Sequence, residues 1–380
     1  MKKIIIIHQS SELYGSDKML LLLLTYLDKS LFLPVVIIPN NGPLKEALED
    51  LHIEVHIAPV LKVYRAIFKP KNGLLFLKDF KSSLLFLENL HKKHHFDLVY
   101  SNTLAVLLGM FFARKHKVKH LWHVHEIINH PKAIAQLYPK LLNANADAIV
   151  CNSKATLQNL SLRLSKLNPK LHLIYNGIET QNDLSSKSTK EDFGFQSSDT
   201  VVTLVGRISR LKGHQWVLNT IISELNEVEN LKFLFVGSAI EGQEFYLENV
   251  AQFILKNQLQ SKVKIVPFTK QLSNIWAVTD IALMPSTEAE SFGLVAAEAM
   301  LAQKPVIGSD LGGLSEIIVP HQTGFLVQPF NEIHLKNAIL KLHENPNLRQ
   351  EFGVAGRNQI IKNFNITNHV LQMEHLLNQL

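Results

Sequence analysis

Short apolar runs rich in β-branched residues recur along the 380-residue chain, and helical patterns separate most of them. In the first half these runs are KIIII, PVVII, DLVYSN, HLWHVHE, AIVCNS and LHLIYNG; in the second half they are TVVTLVGR, LKFLFVGS, VKIVPF, IALMPS, PVIGSD and GFLVQP. Continuous apolar strands that alternate with helices indicate parallel sheets covered on both faces. The pattern therefore predicts an α/β protein with two Rossmann-like, doubly wound parallel-sheet domains that face each other across a cleft.

A polar, serine-rich stretch, QNDLSSKSTKEDFGFQSSD at 181–199, separates the two halves. Its composition is typical of a linker. We therefore expect an N-terminal domain at 1–178, a linker at 179–199, a C-terminal domain at 200–362 and a terminal helix at 363–380. Helical spacing places Val370, Met373, Leu377 and Leu380 on one face of that helix. This face covers either its own domain or the N-terminal one, and periodicity does not decide between them.

The composition excludes several classes of protein. Hydrophobic residues make up 46% of the chain and charged residues 19%, which are globular values. The single cysteine, Cys151, excludes an internal disulfide and a cysteine-based zinc site. The start, KKIIIIHQS, becomes polar too early for a signal peptide, and no apolar segment reaches the ~20 residues of a membrane-spanning helix. We therefore expect a cytoplasmic protein.

The formal net charge of +6 is concentrated in residues 60–95, which hold eight lysines and arginines against two acids. Large apolar residues are interleaved with these cations. Such a mixture favours a helix that lies on an anionic membrane surface, although the solvated face of ordinary amphipathic helices explains it equally well. Nucleic acid is not expected as a partner, because aromatic stacking motifs and a domain-wide basic excess are absent from the sequence.

The stretch PSTEAESFGLVAAEAM, Pro285 to Met300, follows a predicted strand and places Glu290 at the loop mouth and Glu298 eight residues on, inside a predicted helix. A helix is predicted to begin near Phe292, so first-turn N–H groups can donate to hydroxyl or phosphate oxygens. The backbone groups concerned are those of Ser291, Phe292, Gly293 and Leu294. A capped helix, with Glu290 as a first-turn acid and Glu298 as a surface acid, is the alternative, but it does not explain the glycine or the Pro-Ser start.

A second stretch, VGRISRLKGHQ, also follows a strand that ends in a glycine, Gly206. Arg207 and Lys212 lie five residues apart on one loop at a helix entry. Two such cations can hold a diphosphate, the arginine through its planar guanidinium and the lysine as a point charge. A solvated basic loop is the alternative.

Together these two stretches resemble the second domain of glycosyltransferase family 4 (glycosyl transferases group 1), whose members have the GT-B fold and retain the anomeric configuration. The shared features are a Gly-Arg loop that ends in Lys-Gly and two glutamates eight residues apart. Further matches are YNGIE at Tyr175–Glu179, PVIGSDLGGLSEII at 305–318 and GFLV at 324–327. The resemblance covers the second half densely and the first half loosely.

The resemblance implies a nucleotide-diphosphate sugar as the donor, bound mainly by the C-terminal domain. Arg207 and Lys212 would hold the diphosphate and stabilise the leaving group, so that no metal or other cofactor is needed. Glu298 would accept from the ribose, Glu290 and the N–H groups of 291–294 would hold the sugar, and Phe268 would lie near the base. Uracil and guanine remain equally possible bases.

Two stretches of the first half would complete the site. In WHVHEII, His125 is implied as a catalytic residue that orients a sugar hydroxyl, with Glu126 fixing its tautomer, and His123 is the runner-up. His123 and Glu126 are also assigned to acceptor binding. A hydrogen-bonded core histidine is the alternative.

In SSELYGSDK, the resemblance places Gly15 and Ser16 near the donor phosphate. Asp17 either caps the helix KMLLLLLTYL or accepts from an acceptor hydroxyl. The loop lacks the Gly-x-Gly-x-x-Gly that a nicotinamide oxidoreductase would carry after its first strand.

The sequence thus predicts a hexosyltransferase with Glu290, Arg207, Lys212 and His125 as its catalytic residues. The expected acceptor is a glycan, lipid-linked as in lipopolysaccharide, O-antigen or capsule synthesis, at the inner face of the cytoplasmic membrane. Two alternatives remain: a catalytically degenerate binding or assembly subunit of the same fold, and a nucleotide-sugar epimerase of the same architecture.

Overall fold

The structure is a computed structural model that describes residues 1–61, 70–180, 186–239 and 242–380, with the side chains of 70–78 also outside the description. The chain forms two compact units. Unit 1 comprises Met1–Gly177 and Ile366–Leu380, and unit 2 comprises Ile178–Asn365.

The described residues of unit 1 form a sheet of seven parallel strands in the order β3-β2-β1-β4-β5-β6-β7. The strands are β1 Lys2–His8, β2 Phe32–Ile38, β3 Glu54–Ile57, β4 Leu98–Asn102, β5 Lys119–Val124, β6 Ala148–Cys151 and β7 Leu171–Leu173. The helices are α1 Gly15–Tyr26, α2 Pro43–Asp50, α3 Pro70–His94, α4 Leu108–His116, α5 Lys132–Asn145, α6 Lys154–Arg163 and, at the end of the chain, α14 Ile366–Gln379.

The described residues of unit 2 form a sheet of six parallel strands in the order β10-β9-β8-β11-β12-β13. The strands are β8 Thr200–Val205, β9 Leu231–Val236, β10 Val263–Val266, β11 Ile281–Met284, β12 Val306–Ser309 and β13 Gly324–Val327. The helices are α7 His214–Thr220, which continues into a π turn at Ile221–Leu225, α8 Phe245–Lys256, α9 Leu272–Val278, α10 Leu294–Leu301, α11 Leu314–Ile317, α12 Glu332–His343 and α13 Pro346–Asn363. Short 3₁₀ turns cover 165–170, 190–193 and 210–212.

Strand β1 shows why the apolar runs became strands buried on both faces. Ile4 and Ile6 pack into one hydrophobic cluster of unit 1, while Ile5 and Ile7 pack into another. Because successive side chains of a strand point to opposite faces, a run of four isoleucines needs helices on both sides of the sheet. The predicted class, two Rossmann-like units with parallel sheets, is confirmed.

Each sheet reverses its strand order once, between β1 and β4 in unit 1 and between β8 and β11 in unit 2. Connections leave toward opposite faces at such a point, so a crevice opens beyond the carboxyl ends of the two strands. These two crevices are where ligands of doubly wound sheets bind.

Helix α14 belongs to the core of unit 1. Val370, Met373 and Leu377 join the cluster that contains Ile4 and Ile6. Lys2 Nζ donates to the carbonyl of Leu377 at 2.7 Å. The structure therefore places α14 on the N-terminal half of the chain, although the residues just before it belong to unit 2.

Two segments differ from the pattern expected from sequence. Strand β3, EVHI, is half polar and lies at the edge of its sheet, so it lacks the apolar run that marks the other strands. In the expected linker, residues 181–185 lie outside the described residues. Residues 186–199 belong to unit 2, where Lys190 Nζ donates to Asp280 at 2.7 Å.

The basic segment 60–95 is described in part. Residues 62–69 and the side chains of 70–78 lie outside the described residues, while Lys81, Leu85 and Lys92 are exposed on α3. Within the part of the chain that the structure describes, no helix is long and apolar enough to cross a membrane.

Candidate active site

Two loops meet beyond the crevice of unit 2. The first, residues 206–213, follows β8 and leads into α7; the second, residues 285–293, joins β11 to α10. Strands β8 and β11 are neighbours in a parallel sheet, so their carboxyl ends lie at the same edge. This pairing brings together the two stretches that sequence analysis singled out.

Lys212 and Glu290 are in direct contact. Lys212 Nζ donates to Glu290 Oε1 at 2.6 Å, and Ser286 Oγ donates to the same oxygen. The two charged side chains remain 28% and 20% exposed, so a ligand can reach both. Burial raises the pKa of the Glu290 carboxyl, but Lys212 and Ser286 outweigh it and leave the pKa below its ordinary value. The site thus presents an ionised carboxylate beside an ammonium group.

Further bonds between the two loops fix this contact. The Thr287 N–H donates to the Leu211 carbonyl at 2.9 Å, and Thr287 Oγ1 donates to the Arg210 carbonyl at 2.9 Å. Arg210 also forms an ion pair with Glu288. Because backbone as well as side chains join the loops, Lys212 and Glu290 are held together by the fold rather than by their charges alone.

Three glycines permit this close approach. Gly213 has a φ of +74°, and a Cβ there would lie 1.9 Å from the Pro285 carbonyl oxygen. On the other side of the second loop, Gly313 N–H donates to the Glu290 carbonyl at 2.7 Å. A Cβ on Gly312 would lie 2.3 Å from that same carbonyl oxygen. A larger residue at Gly213 would push the two loops apart, and one at Gly312 would displace the backbone that carries Glu290.

Helix α10 begins at Leu294, two residues later than the sequence predicted. Gly293 precedes it with a φ of +107°, and the Phe292 ring is buried against Phe364, with ring centroids 5.6 Å apart. Phe292 therefore offers a ligand only its backbone. Glu298 is the fifth residue of α10 and is half-buried.

The other predicted donor-binding residues of unit 2 lie at the carboxyl ends of its strands. Arg207 is exposed just after β8, beside Gly206. Phe268 follows β10, is 37% exposed and donates its N–H to Ser238 Oγ at 3.3 Å. Lys212 and Glu290 are brought into contact, and Arg207 and Phe268 lie at the same edge of the sheet.

In unit 1, four side chains form a hydrogen-bonded chain at the crevice between β1 and β4. Asp17 Oδ1 lies 2.6 Å from His8 Nε2, and His8 Nδ1 lies 2.9 Å from Asn102 Nδ2. Asn102 Oδ1 in turn lies 2.8 Å from His125 Nε2. The first three residues are buried, and His125 is the partly exposed end. His8 and Asn102 end neighbouring strands and face each other in register.

Asp17 takes part in the cap of helix α1, one of its two predicted roles, but it does so from inside the helix. Helix α1 begins at Gly15, not at Lys18, so Asp17 is a residue of its first turn. Asp17 Oδ2 accepts from the Tyr14 N–H at 3.0 Å and from Ser10 Oγ at 3.3 Å. Asp17 is 2% exposed, which makes it an internal hydrogen-bond acceptor rather than part of an acceptor-binding surface. Gly15 is exposed at the helix start and Ser16 half-buried.

Glu126 holds the backbone near His125 and not its ring. Glu126 Oε2 accepts from the N–H groups of Leu104 and His125, each at 3.1 Å. Burial raises the pKa of Glu126 to about 7, although these N–H groups oppose the shift. The expectation that Glu126 sets the tautomer of His125 is therefore wrong, since Asn102 contacts the ring instead.

His123 lies behind His125. Their ring centroids are 4.0 Å apart, and His123 Nδ1 lies 2.7 Å from the Tyr100 hydroxyl. His123 is 1% exposed, so it supports the His125 ring from within the protein. Burial holds the pKa of His123 well below its ordinary value and lowers that of His125 to about 3. Both imidazoles are therefore neutral near pH 7.

Sequence reasoning missed His8, Asn102, Tyr100 and Ser286. A signal was present for two of them: His8 and Asn102 are the polar residues that end the apolar runs KIIIIH and LVYSN. Polar side chains at the carboxyl ends of adjacent parallel strands are expected to converge.

Comparisons with known proteins follow the same division into two halves. Residues 15–182 match the family model Glycosyltransferase Family 4, and residues 185–359 match the model Glycosyl transferases group 1. The two matches follow one another and together span most of the chain. The chain belongs to glycosyltransferase family 4. The assignment made from sequence motifs is confirmed.

Two relatives of this glycosyltransferase are distant in sequence. The N-acetyl-alpha-D-glucosaminyl L-malate synthase of Bacillus anthracis is 26% identical over 221 residues, which cover 58% of this chain and 56% of the synthase. This chain thus spans little more than half of that relative. An uncharacterized glycosyltransferase of Methanocaldococcus jannaschii is 24% identical over 319 residues, 82% of this chain and 81% of its own length.

Solved structures share the fold over the full chain. A crystal structure of Anabaena HepE in complex with UDP and glucose has a TM-score of 0.86 at 23% identity, and the match covers 100% of both chains. HepE has also been solved with UDP-glucose, with a TM-score of 0.85. This glycosyltransferase therefore has the GT-B fold, as the sequence predicted.

Proposed function

We propose that this glycosyltransferase transfers a hexosyl group from a UDP-sugar to a hydroxyl group of an acceptor, with retention of the anomeric configuration. The observation that carries the proposal is the contact between Lys212 and Glu290 at the crevice of unit 2. A cation for phosphate and a carboxylate for sugar hydroxyls lie side by side there, which is what a sugar diphosphate requires. The complexes of HepE with UDP and UDP-glucose support uridine as the nucleoside.

Arg207 and Lys212 are proposed to bind the diphosphate. The guanidinium of Arg207 binds two phosphate oxygens at once, and the ammonium of Lys212 has three donors, of which Glu290 occupies one. As the bond to the sugar breaks, negative charge grows on the leaving diphosphate and both cations stabilise it. These side chains supply the positive charge, and we therefore propose a metal-independent reaction.

The remaining donor contacts follow from the loop before α10. Glu290 accepts from hydroxyls of the transferred sugar, and the N–H groups of residues 291–294 donate to it. Glu298 accepts from the ribose, and Phe268 lies against the base. Gly15 and Ser16, at the start of α1, are proposed to contact the donor phosphate with their backbone.

In unit 1, His125 is proposed to orient a sugar hydroxyl through its neutral imidazole. Among the contacts described above, Glu126 accepts from backbone N–H groups and no carboxylate contacts the His125 ring. We therefore propose a substitution on one face of the sugar, in which the leaving phosphate takes the proton of the acceptor hydroxyl. The products are UDP and the glycosylated acceptor.

The acceptor is proposed to be a glycan, lipid-linked as in the assembly of lipopolysaccharide, O-antigen or capsule. The exposed lysines and Leu85 on α3 support a surface that meets such acceptors at an anionic membrane. Because the name of the Bacillus anthracis relative refers to a small molecule, the test must include soluble acceptors.

The experiment is to measure UDP release from a panel of UDP-sugars, with lipid-linked and soluble acceptors, in the presence of EDTA. We expect release from at least one donor. Lys212→Met is expected to lower kcat/KM by 100-fold or more, on the order of the loss seen when one charge-stabilising donor is removed. The anomeric configuration of the product, read by NMR, tests retention.

A matched control comes from a second ion pair of unit 2. Lys336 Nζ lies 2.7 Å from Glu224 Oε2, and the exposed fractions of the two side chains, 32% and 23%, resemble those of Lys212 and Glu290. Lys336→Met is expected to leave kcat/KM unchanged. An equal loss in both variants, or no UDP release from any donor, contradicts the proposed function and favours a binding subunit.

A further inference from the structure

The buried chain from Asp17 to His125 has a direction, because each of its members can donate or accept only in certain ways. An ionised carboxylate only accepts hydrogen bonds. Burial raises the pKa of Asp17, but its hydrogen bond from His8 and those from Tyr14 and Ser10 outweigh burial and leave the pKa lowered. His8 must therefore carry its proton on Nε2, where it donates to Asp17 across 2.6 Å.

The next two links follow from this first one. An NH₂ group only donates, so a ring nitrogen that faces one accepts and carries no proton. The NH₂ group of Asn102 lies 2.9 Å from His8 Nδ1 and satisfies it. A carboxamide that donates at one end accepts at the other, so Asn102 Oδ1 requires a proton on His125 Nε2, 2.8 Å away. The proton of the His125 ring is thus assigned to Nε2, and its Nδ1 carries a lone pair.

We propose that Asp17, His8 and Asn102 are positioning residues that hold His125 in the tautomer with an unprotonated Nδ1. His125 is the partly exposed end of the chain, so this nitrogen is the one that it offers to a ligand. Such a nitrogen accepts from a hydroxyl group and repels groups that only accept, such as phosphate oxygens. The chain therefore makes His125 select the sugar part of a nucleotide sugar, an assignment that rests on the proposed function for the identity of the ligand.

The surroundings of the ring hold it in place for this task. The ring of His123 lies 4.0 Å away, centroid to centroid, and Glu126 holds the His125 N–H at 3.1 Å. His8, Asn102 and Asp17 are each 2% exposed or less, so water does not compete for the links between them. A buried and fully bonded chain of this kind transmits the fixed polarity of Asp17 to His125.

The direct test is an NMR spectrum of the full-length protein with ¹⁵N-labelled histidine. This spectrum distinguishes the two neutral tautomers of each ring from the protonated ring. His125 is assigned by its absence in His125→Gln. In the unaltered protein we expect His8 and His125 to be neutral with protons on Nε2. A spectrum in which His125 carries its proton on Nδ1, or in which His8 is doubly protonated near pH 7, overturns the proposal.

Two variants at one position separate polarity from packing. Glutamine has a donor end and an acceptor end, as neutral histidine does, whereas leucine fills the space with neither. His8→Gln is expected to preserve the His125 tautomer, and His8→Leu is expected to leave a mixture of both. Ser101→Ala is the control, because Ser101 lies next to Asn102 on β4 and bonds a different buried histidine, His120, at 2.9 Å.

Kinetics then tests the consequence of the tautomer. His8→Leu is expected to lower kcat by about 10- to 100-fold, as when outer hydrogen-bond partners of a functional histidine are removed. His8→Gln is expected to recover most of it, and Ser101→Ala to keep it. A His125 tautomer that is the same in His8→Leu as in the unaltered protein overturns the proposal, whatever the enzyme assay shows. If the unaltered protein releases no UDP, the proposed function is refuted instead. The NMR result still decides whether Asp17, His8 and Asn102 set the tautomer of His125.

Discussion

Lys212 Nζ donates to Glu290 Oε1 at 2.6 Å, although 78 residues separate them in the sequence. This ion pair stabilises the fold, and Lys212 also keeps the Glu290 carboxyl ionised. Lys212→Met leaves Glu290 with burial but without its cation, so the pKa of Glu290 is expected to rise. Because the pair is about one quarter exposed, we expect the free energy of unfolding to fall by about 1–2 kcal/mol near pH 7, less than the loss for a fully buried pair.

The pH dependence of this loss has a definite sign. The pKa of Glu290 is lowered in the folded state, so its stabilisation is present above the ordinary pKa of glutamate and disappears as the pH falls below it. Urea unfolding at several pH values measures this difference. The double variant Lys212→Met/Glu290→Gln is expected to recover stability without recovering donor turnover, and a double variant as unstable as Lys212→Met alone contradicts the explanation.

Gly213→Ala tests the close approach of the two loops of unit 2. The new Cβ would lie 1.9 Å from the Pro285 carbonyl oxygen, so the backbone that carries Lys212 must move. Gly194→Ala is the matched control, because its φ of +75° equals that of Gly213 within a degree and its nearest atom is Lys264 Cε at 3.5 Å. Both substitutions carry the strain of a left-handed residue, about 1–2 kcal/mol.

We expect Gly213→Ala to weaken UDP binding strongly, as measured by calorimetry, and Gly194→Ala to leave it unchanged. Urea unfolding is expected to show a larger loss for Gly213→Ala than for its control. Equal UDP affinity in the two variants would mean that the spacing of the loops does not matter for the donor.

His120 predicts a loss of stability in acid. It is 1% exposed, its Nδ1 donates to the Asn145 carbonyl at 2.8 Å, and its Nε2 accepts from Ser101. Burial lowers its pKa to about 4, although the Asn145 carbonyl and Asp147 oppose the shift. An unfolded histidine titrates near ~6.5, so only the unfolded state binds this proton between about pH 6.5 and pH 4.

The contribution of neutral His120 to the free energy of unfolding is therefore fully present above pH 6.5. It falls as the pH drops, by up to about 3 kcal/mol. His120→Gln is expected to reduce the acid dependence by one proton, as measured by urea unfolding between pH 4 and pH 7. His375→Gln removes an exposed histidine of α14 and serves as the control, with no change expected. An unchanged slope in His120→Gln would show that His120 is protonated in the folded state.

Met373→Ala tests the attachment of α14 to unit 1. Met373 is fully buried in the cluster around Ile4, and its truncation is expected to cost about 2–5 kcal/mol. Leu371, two residues earlier on the same helix, is 58% exposed, so Leu371→Ala is expected to cost less than about 0.5 kcal/mol. Urea unfolding followed by circular dichroism compares the two, and similar losses would contradict the packing of α14 described above.

The exposed face of α3 predicts binding to anionic membranes. Lys81 and Lys92 flank Leu85, which is 58% exposed. The protein is expected to float with vesicles that contain anionic lipid at low salt and to remain in solution as salt rises, because screening weakens the attraction. Lys81→Gln/Lys92→Gln is expected to float less. If the protein floats with neither anionic nor neutral vesicles at low salt, a peripheral membrane location is refuted.

The fold was predictable because strands that are buried on both faces of a parallel sheet consist of continuous apolar residues, which are visible in the sequence. Each of the twelve apolar runs became a strand, and the missed strand, β3, alternates polar residues at a sheet edge. The site of unit 2 was predictable for a different reason, since its loops carry motifs of closely spaced residues. The contact between Lys212 and Glu290 was not, because only the pairing of β8 with β11 creates it.

The hydrogen-bonded chain from Asp17 to His125 in unit 1 was harder to predict from sequence. Asn102 and His8 are 94 residues apart, and neither belongs to a motif. Their meeting depends on the register that pairs the last residue of β1 with the last residue of β4. Asp17 was recognised as a polar residue near a helix start, but its inward direction follows from a helix that begins three residues earlier than expected.

The return of α14 to unit 1 has a consequence for the order in which the protein can fold. All of unit 2 lies between Gly177 and Ile366, the two residues at which the sequence of unit 1 is interrupted. As the chain leaves the ribosome, unit 2 is complete before α14 has been synthesised, whereas the apolar surface around Ile4 and Leu20 stays uncovered until α14 emerges. The N-terminal half of the chain is thus synthesised first, but its core is completed only after unit 2 has been synthesised.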